Sequence, residues 1–223
     1  MTREAHPASR PWPRVDAVCV ATCRPTEYSS AGVTAIDKRP VDGPVLAAAP
    51  GLAGDEQGDT RHHGGVDQAL YAYAQGDVDF WVAQLQRDLP AGSFGENLRV
   101  SHLEVSGARV GEVWRIGACT VQVTAPRIPC RTFAAFWDVP DLVRRFLEAG
   151  RPGAYLRVLA PGPVQAGDLI EVVERPDTDV TVADVSRIVT RDRHEADRLH
   201  GLHGLADRVA AWAAERVGAP AAG

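Results

Sequence analysis

GEVWRI at residues 111–116 and GDLIEV at residues 167–172 decide the fold class. Each places a glycine and an acid before an apolar-rich run. Such pairs are turn chemistry, and the runs that follow read as strands. The two copies are too short to establish a duplication. They predict strands delivered by tight turns, and hence antiparallel β structure. The surrounding stretches, 110–124 and 154–174, read the same way.

Working outward, VDAVCVATC (15–23) is a β-branched-rich run stopped by Arg24-Pro25, a first strand. Residues 33–47 suit short strands and turns around Lys38-Arg39-Pro40 and Gly43-Pro44. Residues 54–66 are a polar, glycine-rich loop, and LYAYA (70–74) is a strand. The period changes at 77–89, where Val78, Trp81, Val82, Leu85 and Leu89 share one helical face and Asp77 is the expected cap. A strand is expected near 97–100. DVPDLVRRFLEAG (138–150) predicts a helix with Asp138 as N-cap and Leu142, Val143, Phe146 and Leu147 as its buried stripe. After Arg175-Pro176 the chain reads as helical over 181–217. Thr181 and Asp184 resemble a capping pair, a short helix falls near 193–200, and Leu205, Val209 and Trp212 mark a last helix. The expected organisation is a polar leader without fixed structure over 1–14, a mainly β body with a few helices over 15–176, a three-helix domain over 177–217, and a short tail over 218–223.

The chain has 223 residues and is 45% hydrophobic, enough for a sizeable core in one domain plus an appendage. Its net charge of -5 offers no basic domain for nucleic acid. No apolar run approaches the roughly 20 residues of a membrane span, and the first residues lack the apolar core of a secretory signal. Cys19, Cys23, Cys119 and Cys130 are too few for a disulfide scaffold in a chain this long. The expectation is a cytoplasmic protein with no nucleic-acid or membrane partner.

Four polar clusters carry possible chemistry. In TAIDKRPV (34–41), Lys38 and Arg39 suit an anionic group, although a solvated turn before Pro40 is the plainer account of this stretch alone. In RHHGG (61–65), His62 and His63 precede glycines that let a ligand approach the backbone closely; a surface turn is an equal reading. In FGENL (94–98), Asn97 can both donate and accept, whereas a local turn bond is the plainer account. The fourth is RIPCRTF (127–133). A cysteine is most often a small buried hydrophobe. Cys130, however, has Arg127 and Arg131 as neighbours, and nearby positive charge favours the reactive thiolate. Cys19 and Cys23 with His62 and His63 make only a weak zinc pattern. The chain has no GxSxG elbow, phosphate-binding loop, GxGxxG or HExxH.

Taken in order, TAIDKRPV (34–41), GDEQGDTRHHGGVDQALYAY (54–73), FGENL (94–98) and PRIPCRTF (126–133) resemble the MOSC domain, found at the C-terminus of molybdenum-cofactor sulfurases. The resemblance is closest to its stand-alone bacterial YiiM-type members and covers residues 15–175. The tail, opening VTVADVSRIV (180–189), is similar to the three-helix segment that follows the domain in those members. The resemblance implies a MOSC-type, β-barrel-like body. It places the catalytic cysteine on Cys130, whose thiolate would be the molybdenum ligand, a soft donor for a soft centre. It implies a pterin-bound molybdenum cofactor (molybdopterin) held by Lys38, Arg39, His62, His63, Gly64, Asn97, Arg127 and Arg131. Gln68 and Thr132 depart from the pattern, each removing a possible anion contact.

The implied activity is reduction of N-hydroxylated compounds: hydroxylamines, amidoximes or N-hydroxylated base analogues. Glu96 or His63 is the expected proton donor. No flavin, haem or CxxC motif is present, so electrons are expected from an external flavoprotein reductase or ferredoxin-type protein. A homodimer through the helical tail is a further expectation. The rival reading is non-redox: a carrier of sulfur as a Cys130 persulfide, or of the cofactor itself. The pyridoxal-phosphate domain that generates persulfide in the sulfurases is not expected in this chain.

Overall fold

The structure is a computed structural model and describes residues 11–58 and 64–217. The expected leader falls mostly outside these residues, as does the tail over 218–223. The described end of the leader belongs to the sheet: Pro13 O accepts from Ile170 N (2.9 Å) and the first strand begins at Arg14.

The chain opens with β1 (Arg14–Val20), β2 (Arg24–Pro25), β3 (Val33–Thr34), β4 (Arg39–Val41), β5 (Val45–Ala48) and β6 (Gly51–Leu52). A 3-10 turn over Val66–Gln68 leads into β7 (Leu70–Ala74), α1 (Gln75–Leu85) and β8 (Leu98–Ser101). The hairpin of β9 (Val113–Ile116) and β10 (Cys119–Pro126) is followed by α2 (Arg131–Trp137) and α3 (Leu142–Ala149). Next come β11 (Ala154–Ala160), β12 (Gly162–Val164) and β13 (Ile170–Glu174). The tail is α4 (Val182–Thr190), a 3-10 segment over Arg193–Leu199, and α5 (Asp207–Val217).

Eight strands form one sheet in the order β13-β9-β10-β11-β7-β8-β1-β4, antiparallel except for β7 beside β8. The fold is mixed and mainly β, as expected. The two matched hexapeptides are neighbours in this sheet: Ile170 faces Ile116 and Val172 faces Trp114. Val15 N donates to Asp168 O (2.9 Å) and Gly167 N to Val15 O (2.8 Å), tying β1 to the approach to β13. The sheet therefore curls back on itself, joined by a bridge rather than by a full ladder.

β7 shows how the sequence builds two cores from one strand. Alternate side chains point to opposite faces. Leu70, Ala72 and Ala74 enter the main sheet core with Trp114, Ile116 and Leu156. Tyr71 and Tyr73 face the other way into an aromatic cluster with Trp81, Phe94, Phe133, Trp137 and Phe146. Tyr73 stacks on Phe94 (4.3 Å between centroids), Phe94 meets Trp137 (5.0 Å), and Phe133 meets Phe146 edge-on (5.2 Å). Their polar handles are satisfied: Trp81 Nε1 donates to Tyr73 Oη (3.0 Å) and Trp137 Nε1 to Ser93 O (3.0 Å). Helices α1, α2 and α3 gather on this second core.

Two helix starts differ from expectation. Asp77 does not cap α1, which begins two residues earlier. It is buried in the first turn, where it accepts from Ser106 Oγ (2.9 Å) and Arg151 Nη1 (2.6 Å). Those tertiary partners compensate a buried carboxylate, so the charge is drawn inward rather than to the cap. The helix expected over 138–150 is α3, which starts later than expected, and an unexpected helix, α2, precedes it. Asp138 ends α2 in a left-handed conformation (φ 53°), and α3 starts after Asp141. RTFAAFW is only seven residues long, too short for periodicity to declare, but Phe133 and Trp137 anchor it in the aromatic core.

The tail follows expectation more closely. Thr181 Oγ1 accepts from Asp184 N (3.1 Å) and Asp184 Oδ2 accepts from Thr181 N (3.1 Å), a reciprocal cap. Val185, Ile188, Leu199, Leu205 and Ala213 form a small core with Val110 of the body. The expected middle helix is a 3-10 segment. Gly111 and Gly204, both at positive φ, meet where the tail crosses the sheet; a Cβ on either would strike the other's neighbourhood within 3 Å. The glycine of GEVWRI thus serves close packing as well as the turn.

Candidate functional site

A cavity of about 590 Å³ opens where the motif loops meet the tail. That size suits a small molecule or cofactor. Its wall includes Lys38, Gly64, Asn97, Arg127, Cys130 and Arg131, six of the residues singled out in the sequence.

Cys130 is the N-cap of α2, half-buried, with extended backbone (φ -128°, ψ 174°). Its carbonyl accepts from Phe133 N (3.1 Å) and Ala134 N (3.3 Å), and Phe133 sinks into the aromatic core. Pro129 fixes the approach. The thiol is therefore carried on a short, rigid corner. Cys19 and Cys119 lie in the sheet, fully buried, and burial pushes their thiols up to about 12 and about 11. The ordinary reading of a cysteine fits those two, whereas Cys130 is half-buried at the edge of the aromatic core and lines the cavity.

Arg127 is the decisive neighbour. It is 6% exposed, donates from Nη1 to Phe94 O (2.9 Å), and lies over the rings of Phe133 (4.0 Å) and Tyr71 (5.6 Å). Among the described residues no carboxylate pairs with it. A buried cation held only by a carbonyl and ring faces is short of negative charge. Arg131 is exposed at the rim, with its guanidinium 5.9 Å from the Tyr28 ring centroid.

Lys38 and Asn97 reach the cavity, but neither is a loose donor. Lys38 Nζ pairs with Asp55, and Asn97 Nδ2 donates to Asp55 Oδ2 (2.8 Å) and Cys19 O (3.2 Å). Asn97 Oδ1 accepts from Tyr71 N (3.1 Å). Gly64, at φ 113°, donates to Gln68 Oε1 (3.0 Å). Gln68, a departure from the family pattern, thus pins the rim. Thr132, the other departure, donates to Tyr28 O (3.0 Å) and ties the 26–32 loop to α2.

Two expected site residues are elsewhere. Arg39 points to solvent from β4 and pairs with Asp37 (2.6 Å). Of Lys38 and Arg39, Lys38, in the loop just before the strand, is the buried one. Glu96 is fully buried away from the cavity wall. It accepts from Gly92 N (2.9 Å) and Phe94 N (2.8 Å) and pairs with Arg99 (2.5 Å). Both oxygens are spent in shaping the 92–97 loop, so it is a positioning residue and not an acid facing the cavity. His62 and His63 lie outside the described residues.

Sequence reasoning missed Asp55, Tyr71 and Tyr155, and it missed Val189, Arg208, Val209 and Trp212 of the tail, all on the cavity wall. Asp55 sits among other acids in a polar loop, with nothing local to single it out. The tail residues read as an ordinary amphipathic stripe.

The donor set fits a molybdenum–pterin group. Cys130 offers one soft ligand, buried Arg127 asks for an anion, and Tyr71, Tyr155, Gln57 and Gln68 offer ring and amide contacts. Among the described residues no three His, Cys, Asp or Glu side chains could hold a bare metal ion.

A mainly β body thus carries a cysteine and a buried arginine on one cavity wall. A MOSC domain model matches residues 59–171. The chain is 32% identical over 198 residues to Protein YiiM of Escherichia coli (strain K12), covering 87% of this chain and 88% of that one. It is 32% identical over 160 residues to a protein named Reductase from Gibberella moniliformis (strain M3125 / FGSC 7600), 70% of this chain but only 28% of that protein's length. The crystal structure of YiiM from Geobacillus stearothermophilus superposes with a TM-score of 0.78 at 26% identity, covering 92% of this chain and 99% of that one. The chain belongs to the MOSC domain family.

Two outcomes are expected. Brief iodoacetamide treatment of folded protein at neutral pH, read by peptide mass spectrometry, will label Cys130 and leave Cys19 and Cys119 unlabelled. Equal labelling of all three would contradict the burial described. Glu96→Gln will cost stability of about 3 kcal/mol in urea unfolding, because it breaks a buried pair.

Proposed function

We propose that this chain binds the molybdenum cofactor through Cys130 and reduces N-hydroxylated compounds. One observation carries the reading: Cys130 and the buried Arg127, which no carboxylate among the described residues pairs with, share a wall of the cavity in a MOSC domain. A relative named Reductase supports the reaction class.

When bound, the cofactor supplies two-electron reduction at molybdenum. The overall change is N–OH plus two electrons and two protons to N–H plus water. Cys130 supplies the thiolate ligand. Arg127 offsets negative charge on the ligand, and its stacking on Phe133 keeps the guanidinium in place. Lys38, paired with Asp55 on the cavity wall, is the side chain we assign to hydrogen-bond the N-hydroxyl oxygen. The aromatic core under α2 keeps the Cys130 corner from shifting. Electrons are assigned to an external flavoprotein or ferredoxin-type donor, in a cytoplasmic setting. Among the described residues no helix is long and apolar enough to cross a membrane.

The test uses protein co-expressed with cofactor biosynthesis. Wild type is expected to carry stoichiometric molybdenum and to reduce a hydroxylamine substrate with reduced viologen; Cys130→Ala is expected to lose turnover. Metal without turnover in wild type would replace the reductase by a cofactor carrier. Neither metal nor turnover would overturn the reading.

A further inference from the structure

Helix α5 reaches the cavity from the tail. Val209 and Trp212 of α5, and Val189 of α4, line the same cavity as Cys130. Tyr28 and Ile128 line it too, and both are large apolar side chains left exposed, at 44% and 37%. Five apolar side chains from four separate segments therefore converge on one opening. Val189, Val209 and Trp212 are half-buried against the tail core, so that the apolar wall is firmly seated.

The body fixes where α5 sits. Asp67 Oδ2 accepts from Asp207 N (2.7 Å), at the start of the helix. Asp67 Oδ1 is held by Arg157 (Nε 2.8 Å, Nη2 2.6 Å), and Thr124 O accepts from Ala206 N (3.1 Å). The first turn of α5 is thus capped by a residue of the 64–68 loop, which forms part of the cavity rim. Trp212 is braced by Arg216, whose guanidinium lies 4.1 Å from its ring centroid.

We propose that α5 is the substrate-selecting wall: Trp212 and Val209 bind the planar, apolar body of an aromatic or heteroaromatic N-hydroxylated substrate. This deepens the reductase reading and rests on it. Ring contact and apolar burial favour a substrate with an aromatic body. Free hydroxylamine has no surface with which to exploit them, so the wall discriminates between the two. Asp67 is a positioning residue, acting through the helix it caps.

The test compares full-length wild type, Trp212→Ala and Trp212→Phe, each co-expressed with cofactor biosynthesis. Benzamidoxime is the aromatic probe and hydroxylamine the small one. Calorimetry without reductant gives the benzamidoxime Kd, and viologen-linked turnover gives kcat/KM for both probes. Trp212→Ala is expected to raise that Kd about tenfold and to lower the benzamidoxime-to-hydroxylamine ratio of kcat/KM about tenfold. Trp212→Phe, which keeps a ring, is expected to restore both to within about threefold of wild type. Thermal unfolding of each variant shows that the fold is retained. An unchanged Kd and ratio in Trp212→Ala would overturn the proposal, as would equal losses for the two probes. Absence of turnover in wild type would count against the reductase reading alone. The calorimetric comparison would then decide the wall by itself: a tenfold loss supports it and no loss overturns it.

Discussion

The cavity is organised around one carboxylate. Asp55 accepts from Ala21 N (2.8 Å) and from Asn97 Nδ2 (2.8 Å), and it pairs with Lys38. Those partners come from the end of β1, the start of β8 and the loop before β4. Asn97 passes the connection on to β7 through Tyr71 N and back to β1 through Cys19 O. Without Asp55, Lys38 becomes a buried cation with no partner and Asn97 a buried amide short of an acceptor. Breaking such a pair from one side costs about 3–5 kcal/mol, so the network is retained as a unit or lost as one.

On this frame the charges divide by role. Arg99 and Arg151 are paired with Glu96 and Asp77 and shape loops, and Lys38 is held on the cavity wall by Asp55. Arg127 is buried among a carbonyl and two rings, with no acid among the described residues. The thiol of Cys130, the other chemically distinct group on the wall, is three residues away on a proline-stiffened turn.

Much of this was legible in the sequence, and the parts that were not have physical reasons. GEVWRI and GDLIEV declared antiparallel strands because turn chemistry and apolar runs are local signals. Their pairing with each other is a long-range fact that neither copy contains. Asp77 and Asp138 misled as caps because the same residue type serves a tertiary ion pair in one case and a left-handed helix end in the other. Cys130 and Arg127, singled out together in sequence, line the same cavity because they lie three residues apart on one turn. Arg39 and Glu96 were misplaced because membership of a motif does not say which way a side chain points. Asp55 and Trp212 were missed because their importance depends on loops and helices brought together from far along the chain. The tail, read as an appendage or a dimer surface, supplies part of the cavity wall.

The most direct measurement is X-ray absorption at the molybdenum edge, on protein loaded during co-expression with cofactor biosynthesis, comparing wild type with Cys130→Ser. With Cys130 as the ligand, the wild-type metal will show one more sulfur neighbour than the variant. Identical sulfur shells in the two proteins would contradict a role for Cys130 at the metal, and the function proposed for this cavity would fall with it.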